Sequence, residues 1–321
     1  MEVIHLKYPH QLQQRESMQP YSLALGFFDG VHLGHQAVIT AAKQEGDQRQ
    51  IPTAVMTFDP HPSVVLGGRN EKVFYITLLQ QKLQLFEELG VDTVFVVHFT
   101  SDFAKLSPSE FVDTFIRALN IQHVTAGFDF SFGAFGKGTM EDMRTLSKGD
   151  YGVTVVDKKT DNVEKISSTR IRKLLQEGDM EAAHTLLGRP FEIKGIVVHG
   201  DKRGRTIGFP TANVQALEGV FIPASGVYAV RLNVQNNWYD AVCNVGYKPT
   251  FKDPNDKQLS IEVHILDFEK NIYGEEVKVA WYKRIRSERK FDGIEALKTQ
   301  IEQDKEQAIH YFKRLSELKI L

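Results

Sequence analysis

The sequence predicts an α/β protein in two parts. A parallel sheet wrapped by helices forms the first half, and a small antiparallel β-barrel with a terminal helix forms the second. Three observations predict this. Strand patterns alternate with helical ones up to about residue 187, as in a parallel sheet covered on both faces. From Phe191, strand patterns follow one another with no long helical pattern until about residue 292, as in a small barrel or sandwich. Ile294, Leu297, Ile301, Ala308, Phe312 and Leu315 then form one apolar stripe, the mark of a helix packed on that barrel.

Composition narrows the function classes. The 321 residues suit about two domains. Hydrophobic residues at 42% supply real cores, and charged residues at 25% are usual for a soluble protein. A net charge of −2 gives no global attraction to nucleic acid or an anionic membrane. The charge divides as −5 on residues 1–187 and +3 on residues 188–321. The single cysteine, Cys243, excludes an intrachain disulfide and any multi-cysteine metal site. It sits in a strand-like run and reads as a buried small residue. No run approaches the ~20 apolar residues of a spanning helix, and residues 1–10 lack the apolar core of a secretory signal. The cytoplasm is the expected location, without nucleic-acid or membrane partners; weak self-association is left open, and the oligomeric state is not readable from the sequence.

In the first half, strands are expected over residues 2–6, 21–25, 53–58, 91–99, 123–128 and 153–157. Residues 7–20 read as a polar connection. Ala37, Val38, Ala41 and Ala42 fall at helical spacing. Further helices are expected over 78–89 and 109–119, the latter opened by Pro108. Pro60 and Pro62 stop any regular element after the third strand. A short helix over 181–187 ends at Gly188-Arg189-Pro190, a glycine C-cap followed by proline, so the domain boundary is expected between 187 and 188. Strands follow over 192–199, 227–233, 238–246, 259–267 and 276–282.

Ligands of parallel sheets bind beyond the carboxyl ends of the strands. Three candidates lie there: His32 with His35, Asp59 with His61, and Asp129 with the loop after it. The first belongs to Gly26-Phe27-Phe28-Asp29-Gly30-Val31-His32-Leu33-Gly34-His35-Gln36, a strand-to-helix turn. Unpaired backbone N–H groups and the helix dipole favour an anion at such a turn. Gly30 and Gly34 let a ligand approach the backbone. His32 and His35 point to one side of the first helical turn, where an imidazole can donate to a phosphate or neutralise charge during nucleotidyl transfer. Two unrelated histidines beside a turn are the alternative, which the preceding strand and Phe28-Asp29-Gly30 disfavour.

Residues 127–139 hold four phenylalanines and four glycines. The loop is not a P-loop, because Gly136-Lys137-Gly138 lacks the hydroxyl residue after lysine and Ser131 stands where glycine is needed. Either it packs a flat aromatic ligand or it is a glycine-rich hairpin with core aromatics. Next, Ser167-Ser168-Thr169-Arg170-Ile171-Arg172 opens a helix with a serine N-cap. Hydroxyls and arginines at a helix start suit phosphate, although a plain cap with solvated arginines has the same pattern.

The second chemical centre is Gly200-Asp201-Lys202-Arg203-Gly204-Arg205-Thr206-Ile207-Gly208-Phe209-Pro210-Thr211-Ala212-Asn213. Its glycines and cations suit a nucleotide's phosphates. Thr211 and Asn213 offer neutral oxygens of the kind magnesium accepts beside phosphate and water. Phosphoryl transfer also needs a group to orient or deprotonate the attacking hydroxyl. In Ser260-Ile261-Glu262-Val263-His264-Ile265, Glu262 and His264 share one face and Ile261, Val263 and Ile265 the other. By this pattern alone Glu262 is either solvated or a base. The basic cluster over 284–290 lacks the interleaved aromatics of a nucleic-acid surface.

His-x-Gly-His resembles the signature of the nucleotidylyltransferases. With Gly-Phe-Asp-Phe-x-Phe-Gly over 127–133 and Ile-Ser-Ser-Thr-x-Ile-Arg over 166–172, it resembles the FMN adenylyltransferase module of bacterial bifunctional riboflavin kinase/FAD synthetases. Gly208-Phe209-Pro210-Thr211-Ala212-Asn213 resembles the riboflavin kinase signature. The likeness continues through Asn244-Val245-Gly246-Tyr247-Lys248-Pro249-Thr250-Phe251, Ile272-Tyr273-Gly274 and residues 284–291, and so covers nearly the whole chain.

The resemblance implies a Rossmann-like nucleotidylyltransferase domain over 1–187 and a riboflavin kinase barrel over 188–321. It implies that His32 and His35 contact the ATP phosphates and that Ser167, Ser168, Thr169 and Arg172 hold them from the other side. Gly26, Phe28, Asp29, Gly34 and Asp129 then shape the flavin and nucleotide site. In the barrel it implies Gly200, Lys202, Arg203, Gly208, Pro210 and Arg286 as binding residues, Thr211 and Asn213 as ligands of Mg2+, and Glu262 as base toward the ribityl 5′-hydroxyl. The implied substrates are riboflavin, FMN and ATP, and the products FAD, ADP and pyrophosphate. Phe27 departs from the family pattern, since many relatives carry asparagine there, and is not assigned to the site. A different adenylyl- or cytidylyltransferase with an unrelated barrel predicts a non-flavin acceptor. A flavin-binding regulator predicts FMN binding without ATP consumption.

Overall fold

A computed structural model describes residues 1–9, 19–67, 73–200, 203–249 and 257–318. These form two compact units, residues 1–168 and 169–321. Much of the connection expected over 7–20 lies outside the described residues.

The first unit is built on a parallel sheet: β1 (Glu2–Lys7), β2 (Tyr21–Leu25), β3 (Thr53–Asp59), β4 (Thr93–His98), β5 (Ile121–Gly127) and β6 (Gly152–Val156). The order is β1-β4-β3-β2-β5-β6, so chain progress reverses between β2 and β5. That reversal opens a crevice at the carboxyl ends of these strands. The helices are α1 (Leu33–Arg49), α2 (Pro62–Leu66), α3 (Leu79–Glu88), α4 (Pro108–Phe111) and α5 (Met140–Ser147). They cover the sheet with two apolar layers, one around Met56, Phe95, Phe111 and Phe115, the other around Phe28, Val38, Ile39 and Phe86. Burial on both faces explains why β2 is buried at every position.

Several elements differ from the sequence expectation. Pro62 opens α2 instead of blocking structure, because the first helical turn needs no N–H donor there. The helix expected over 109–119 is α4 followed by a π-helical Val112–Arg117. α5 was not anticipated, although Thr139 and Asp142 form a capping box at its start. In the loop over 127–139, Phe132 is buried and Phe130 packs on the core, while Phe128 and Phe135 are exposed. Phe132 and Gly138 pair as an antiparallel bridge. The loop is thus a hairpin with core aromatics that leaves two rings outside.

The chain passes into the second unit at the start of α6 (Ser168–Glu177), followed by α7 (Met180–Leu187). The barrel comprises β7 (Phe191–Val198), β8 (Ala212–Ala216), β9 (Gly226–Val234), β10 (Asn237–Pro249), β11 (Lys257–Ile265) and β12 (Glu276–Arg286), with α8 (Arg203–Thr206) between β7 and β8. It closes in the order β10-β11-β8-β7-β12-β9, every pair antiparallel. Its interior holds Tyr228 and Trp281, rings 5.2 Å apart, with Cys243, Val245 and Val263 fully buried. The carbonyl of Leu175 accepts from Ala224 N–H (3.1 Å) and that of Glu177 from Arg284 (3.1 Å), which fixes α6 on the barrel.

The terminal helix α9 (Ile294–Glu317) lays Ala308 and Phe312 against Val227, Ala229, Ala280 and Tyr282 on the outer barrel face. Its stripe starts later than expected, since Ile294 is 61% exposed. Polar Gln300 and Asp304 are buried on that helix instead. The Arg286 guanidinium explains Asp304, meeting its carboxylate through Nε (2.9 Å) and Nη2 (2.8 Å).

Candidate active sites

The first centre is the turn between β2 and α1. Phe28 (φ +57°) and Val31 (φ +41°) adopt left-handed backbone conformations uncommon for such residues. Packing holds Phe28 there: its buried ring meets Phe86 (5.8 Å) and His35 (5.3 Å), both edge to face. Gly26 ties the turn to β3 through its N–H to Met56 O (3.2 Å). His32 caps α1, its Nδ1 accepting from His35 N–H (3.2 Å). Accepting at Nδ1 puts the neutral ring's proton on Nε2. The His32 and His35 rings stack with centroids 3.6 Å apart. Gly34 gives this stack room, because a β-carbon there would lie 3.1 Å from the His32 ring, a tight contact.

The Asp29 carboxylate accepts from the N–H groups of Ile76 (3.2 Å) and Thr77 (3.0 Å), which fastens the turn to the segment before α3. Its carbonyl accepts from Ser168 Oγ (2.8 Å), the first residue of α6. The structure therefore brings together His32, His35, Asp29 and Ser168. Ser167 precedes Ser168, and Thr169 and Arg172 follow in the first turns of α6, with Ser168 and Arg172 on one helical face. Asp129 pairs with Lys165, whose Nζ also lies 4.7 Å over the Phe128 ring. Phe27 lies edge-on to His61 (4.4 Å).

Two groups of this unit were missed in the sequence. Lys165 stands one residue before Ile166-Ser167, and its position in that run was the available signal. Lys82 lies on α3, only 2% exposed, with Nζ on Phe27 O (3.1 Å) and Thr57 Oγ1 (3.2 Å). A lysine in an amphipathic helix ordinarily faces water, so the pattern gave no warning.

The second centre lies on the outer face of the barrel. Asn213 on β8 is paired with Glu262 on β11, which is paired with Asn244 on β10. Directly opposed residues on neighbouring strands share a face, so these three form a row. Glu262 accepts from Ser260 Oγ (3.0 Å). His264 Nδ1 donates to Pro210 O (2.8 Å), which ties the segment carrying Thr211 to β11. A β-carbon on Gly200 would collide with the Asn213 amide, which would have to move from its place. Gly208 closes the turn after α8 with φ +92°.

A cavity of about 390 Å³ opens beside the row, lined by Arg205, Pro210, Thr211, Asn213, Lys270 and Tyr273 among others. Its size suits a small molecule of nucleotide dimensions. Lys202, Thr250 and Phe251 lie outside the described residues, as does the Arg203 side chain. Arg286 is committed to Asp304 on α9. Asn244 and Ser260 were not singled out in the sequence; the register of β10 and β11, unreadable before the fold, brings Asn244 to Glu262, whereas Ser260 shares its face by simple strand alternation.

No group of three or more His, Cys, Asp or Glu side chains converges among the described residues. The Thr211 hydroxyl and Asn213 amide oxygen are hard neutral donors at the cavity. That set fits a magnesium ion drawing its remaining ligands from phosphate and water.

One unit, a parallel sheet with histidines at a helix start, and another, a barrel with hard oxygens at a cavity and a carboxylate paired to one of them, fit a two-centre transferase of nucleotide substrates. The FAD synthetase family model matches residues 14–170 and the riboflavin kinase family model residues 187–312. The chain is 52% identical to the bifunctional riboflavin kinase/FMN adenylyltransferase of Bacillus subtilis (strain 168), over 98% of this chain and 99% of that one. It is 49% identical to the protein of that name from Listeria monocytogenes, over 99% and 100%, and 38% identical to that of Escherichia coli (strain K12), over 90% and 92%. A Streptococcus pneumoniae crystal structure described as a macrolide-efflux protein aligns with a TM-score of 0.87 at 36% identity, over 95% and 98%. No helix among the residues described here is long and apolar enough to cross a membrane. The chain belongs to the bifunctional riboflavin kinase/FMN adenylyltransferase family and carries both of its domains.

Proposed function

We propose that the barrel unit phosphorylates riboflavin to FMN and that the parallel-sheet unit joins FMN to an adenylyl group, with ATP as co-substrate of both steps. The register that sets Glu262 opposite Asn213, which lines the cavity together with Thr211, carries the kinase assignment. Glu262 takes the proton of the ribityl 5′-hydroxyl as its oxygen bonds the γ-phosphorus and the bond to the β-phosphate oxygen breaks, leaving FMN and ADP. Ser260 orients the carboxylate, and His264 holds Pro210 and so Thr211 in place. Thr211 and Asn213 hold Mg2+, which when bound neutralises and orients the triphosphate. Gly200, Gly208 and Pro210 border the phosphates, and the family likeness adds the cations of Lys202 and Arg203.

In the adenylyl transfer, an FMN phosphate oxygen bonds the α-phosphorus and the bond to the pyrophosphate oxygen breaks. The nucleophile is already an anion, so positioning and charge stabilisation are enough. His32 offers its Nε2–H, His35 stacks on it, and the α1 N-terminus adds its dipole. Ser167, Ser168, Thr169 and Arg172 add hydroxyls and a cation. Gly26, Phe28, Asp29 and Gly34 shape the turn, and Asp129 the flavin side. We assign residues 1–187 to this activity, because α6 opens with these hydroxyls, and residues 188–321 to the kinase. ATP use at both centres suits a cytoplasmic enzyme.

The test is incubation with riboflavin, ATP and Mg2+ followed by separation of the flavins. FMN and FAD both form with the natural protein. Glu262→Ala stops FMN formation but still converts supplied FMN to FAD, and His35→Ala accumulates FMN. Riboflavin left untouched while FMN binds would sink the assignment in favour of a flavin-binding protein.

A further inference from the structure

Lys82 is the buried cation that the mechanism above leaves unused. Its two hydrogen-bond acceptors, Phe27 O and Thr57 Oγ1, are both uncharged. Thr57 Oγ1 also donates to Phe27 O (2.8 Å), so one carbonyl collects both donors. The Phe27 ring lies 4.4 Å from the ammonium. An ammonium taken out of water with no carboxylate in direct contact is costly to folding, and an apolar side chain would fill the same space more cheaply. The bonded carbonyl belongs to the peptide just before Phe28, whose left-handed backbone starts the turn leading to His32 and His35. The charge also lies at the carboxyl ends of β2 and β3, where the sheet presents its ligand crevice.

We infer that Lys82 is a positioning residue for adenylyl transfer: its ammonium fixes the Phe27 carbonyl beneath the histidine turn and sets a buried positive charge under the phosphates. This rests on assigning that transfer to the turn. The groups facing Lys82 are Asp29 from the turn and Asp59 from the end of β3, with Tyr75 and His61 across Phe27. Burial lowers the Lys82 pKa to about 8 against the pull of Asp29 and then Asp59. Burial pushes the Tyr75 phenol above its usual value, so Tyr75 stays neutral across the same range. The neutral amine can still donate to Phe27 O, so what is lost on titration is the charge.

Two opposite trends follow above pH 8. Adenylyl transfer falls as Lys82 loses its proton. Stability rises, because the unfolded chain still binds that proton up to about pH 10.5 and the folded one does not. A merely structural lysine gives the second trend without the first.

The experiment measures FAD formation from supplied FMN and FMN formation from riboflavin, on the full chain, from pH 6.5 to 9.5. The expected ratio of adenylyl transfer to kinase rate falls with a midpoint near 8. Lys82→Met lowers kcat for FAD formation about tenfold, as loss of a nearby charge in a partly screened site does, leaves KM for FMN within about twofold, removes the alkaline limb and spares the kinase. Lys82→Arg retains charge, restores much of the rate and moves the limb upward. A Lys82→Met protein that keeps the natural rate and pH profile overturns the inference. If that variant fails to fold, a flat rate ratio in the natural protein overturns it equally. No FAD from the natural protein at any pH means that the assignment of the turn itself fails.

Discussion

Glu262 and Asn213 stand opposite each other across one pair of strands, and Gly200 leaves room for the amide between them. Gly200→Ala places a methyl group where the Asn213 side chain sits. Kinase KM for Mg-ATP should rise at least tenfold in steady-state assays, with FAD formation from FMN unchanged. The Asp29 carboxylate accepts from two backbone N–H groups of the segment before α3. Asp29→Ala leaves those donors unsatisfied, at about 1–3 kcal/mol for a buried group. Thermal unfolding should register that loss, and FAD formation should drop while riboflavin phosphorylation persists. At this scale the sequence was informative wherever a motif fixed order and spacing: His32, His35, Thr211, Asn213 and Glu262 could all be named. Lys82 could not, because its partners come from other elements and only the fold supplies them.

At the scale of elements, β8 shows why the second half was harder to read. Its five residues overlap a segment rich in glycine and proline, and local turn chemistry masked a strand that the barrel needs for closure. The reverse holds at β4, whose valine-rich apolar run announces a sheet covered on both faces. In α9, the apolar stripe predicted the contact but not its polar part. Asp304 is 2% exposed and meets Arg286 through two nitrogens. Asp304→Ala leaves a partly buried guanidinium unpaired, a loss of about 3–5 kcal/mol when one partner of such a pair is removed. Denaturant unfolding of the barrel should show it. Arg286→Met combined with Asp304→Leu should recover much of the stability, because no lone charge remains.

At the scale of the whole molecule, the two units carry separate chemistry, so variants in one should leave the other's rate intact. Their responses to pH should differ as well. The folded Lys82 pKa lies below its unfolded value, so its charged form burdens the first unit below pH 8 and that burden lifts between about 8 and 10.5. The single-group contribution is on the order of 3 kcal/mol. The first unit should therefore gain stability over that interval in the natural protein, and Lys82→Met should abolish the gain.

The barrel interior offers a way to watch this. Trp281 lies fully buried there and Trp238 lies 45% exposed on β10, and these are the two tryptophans of the chain. Both belong to the second unit. Indole emission is thus a private signal of the barrel, silent about the parallel sheet, whereas far-ultraviolet circular dichroism sums the two. Recorded together during unfolding, they turn one chain into its own pair of labelled samples. Any gap between the two curves is the melting of the unit that has no tryptophan.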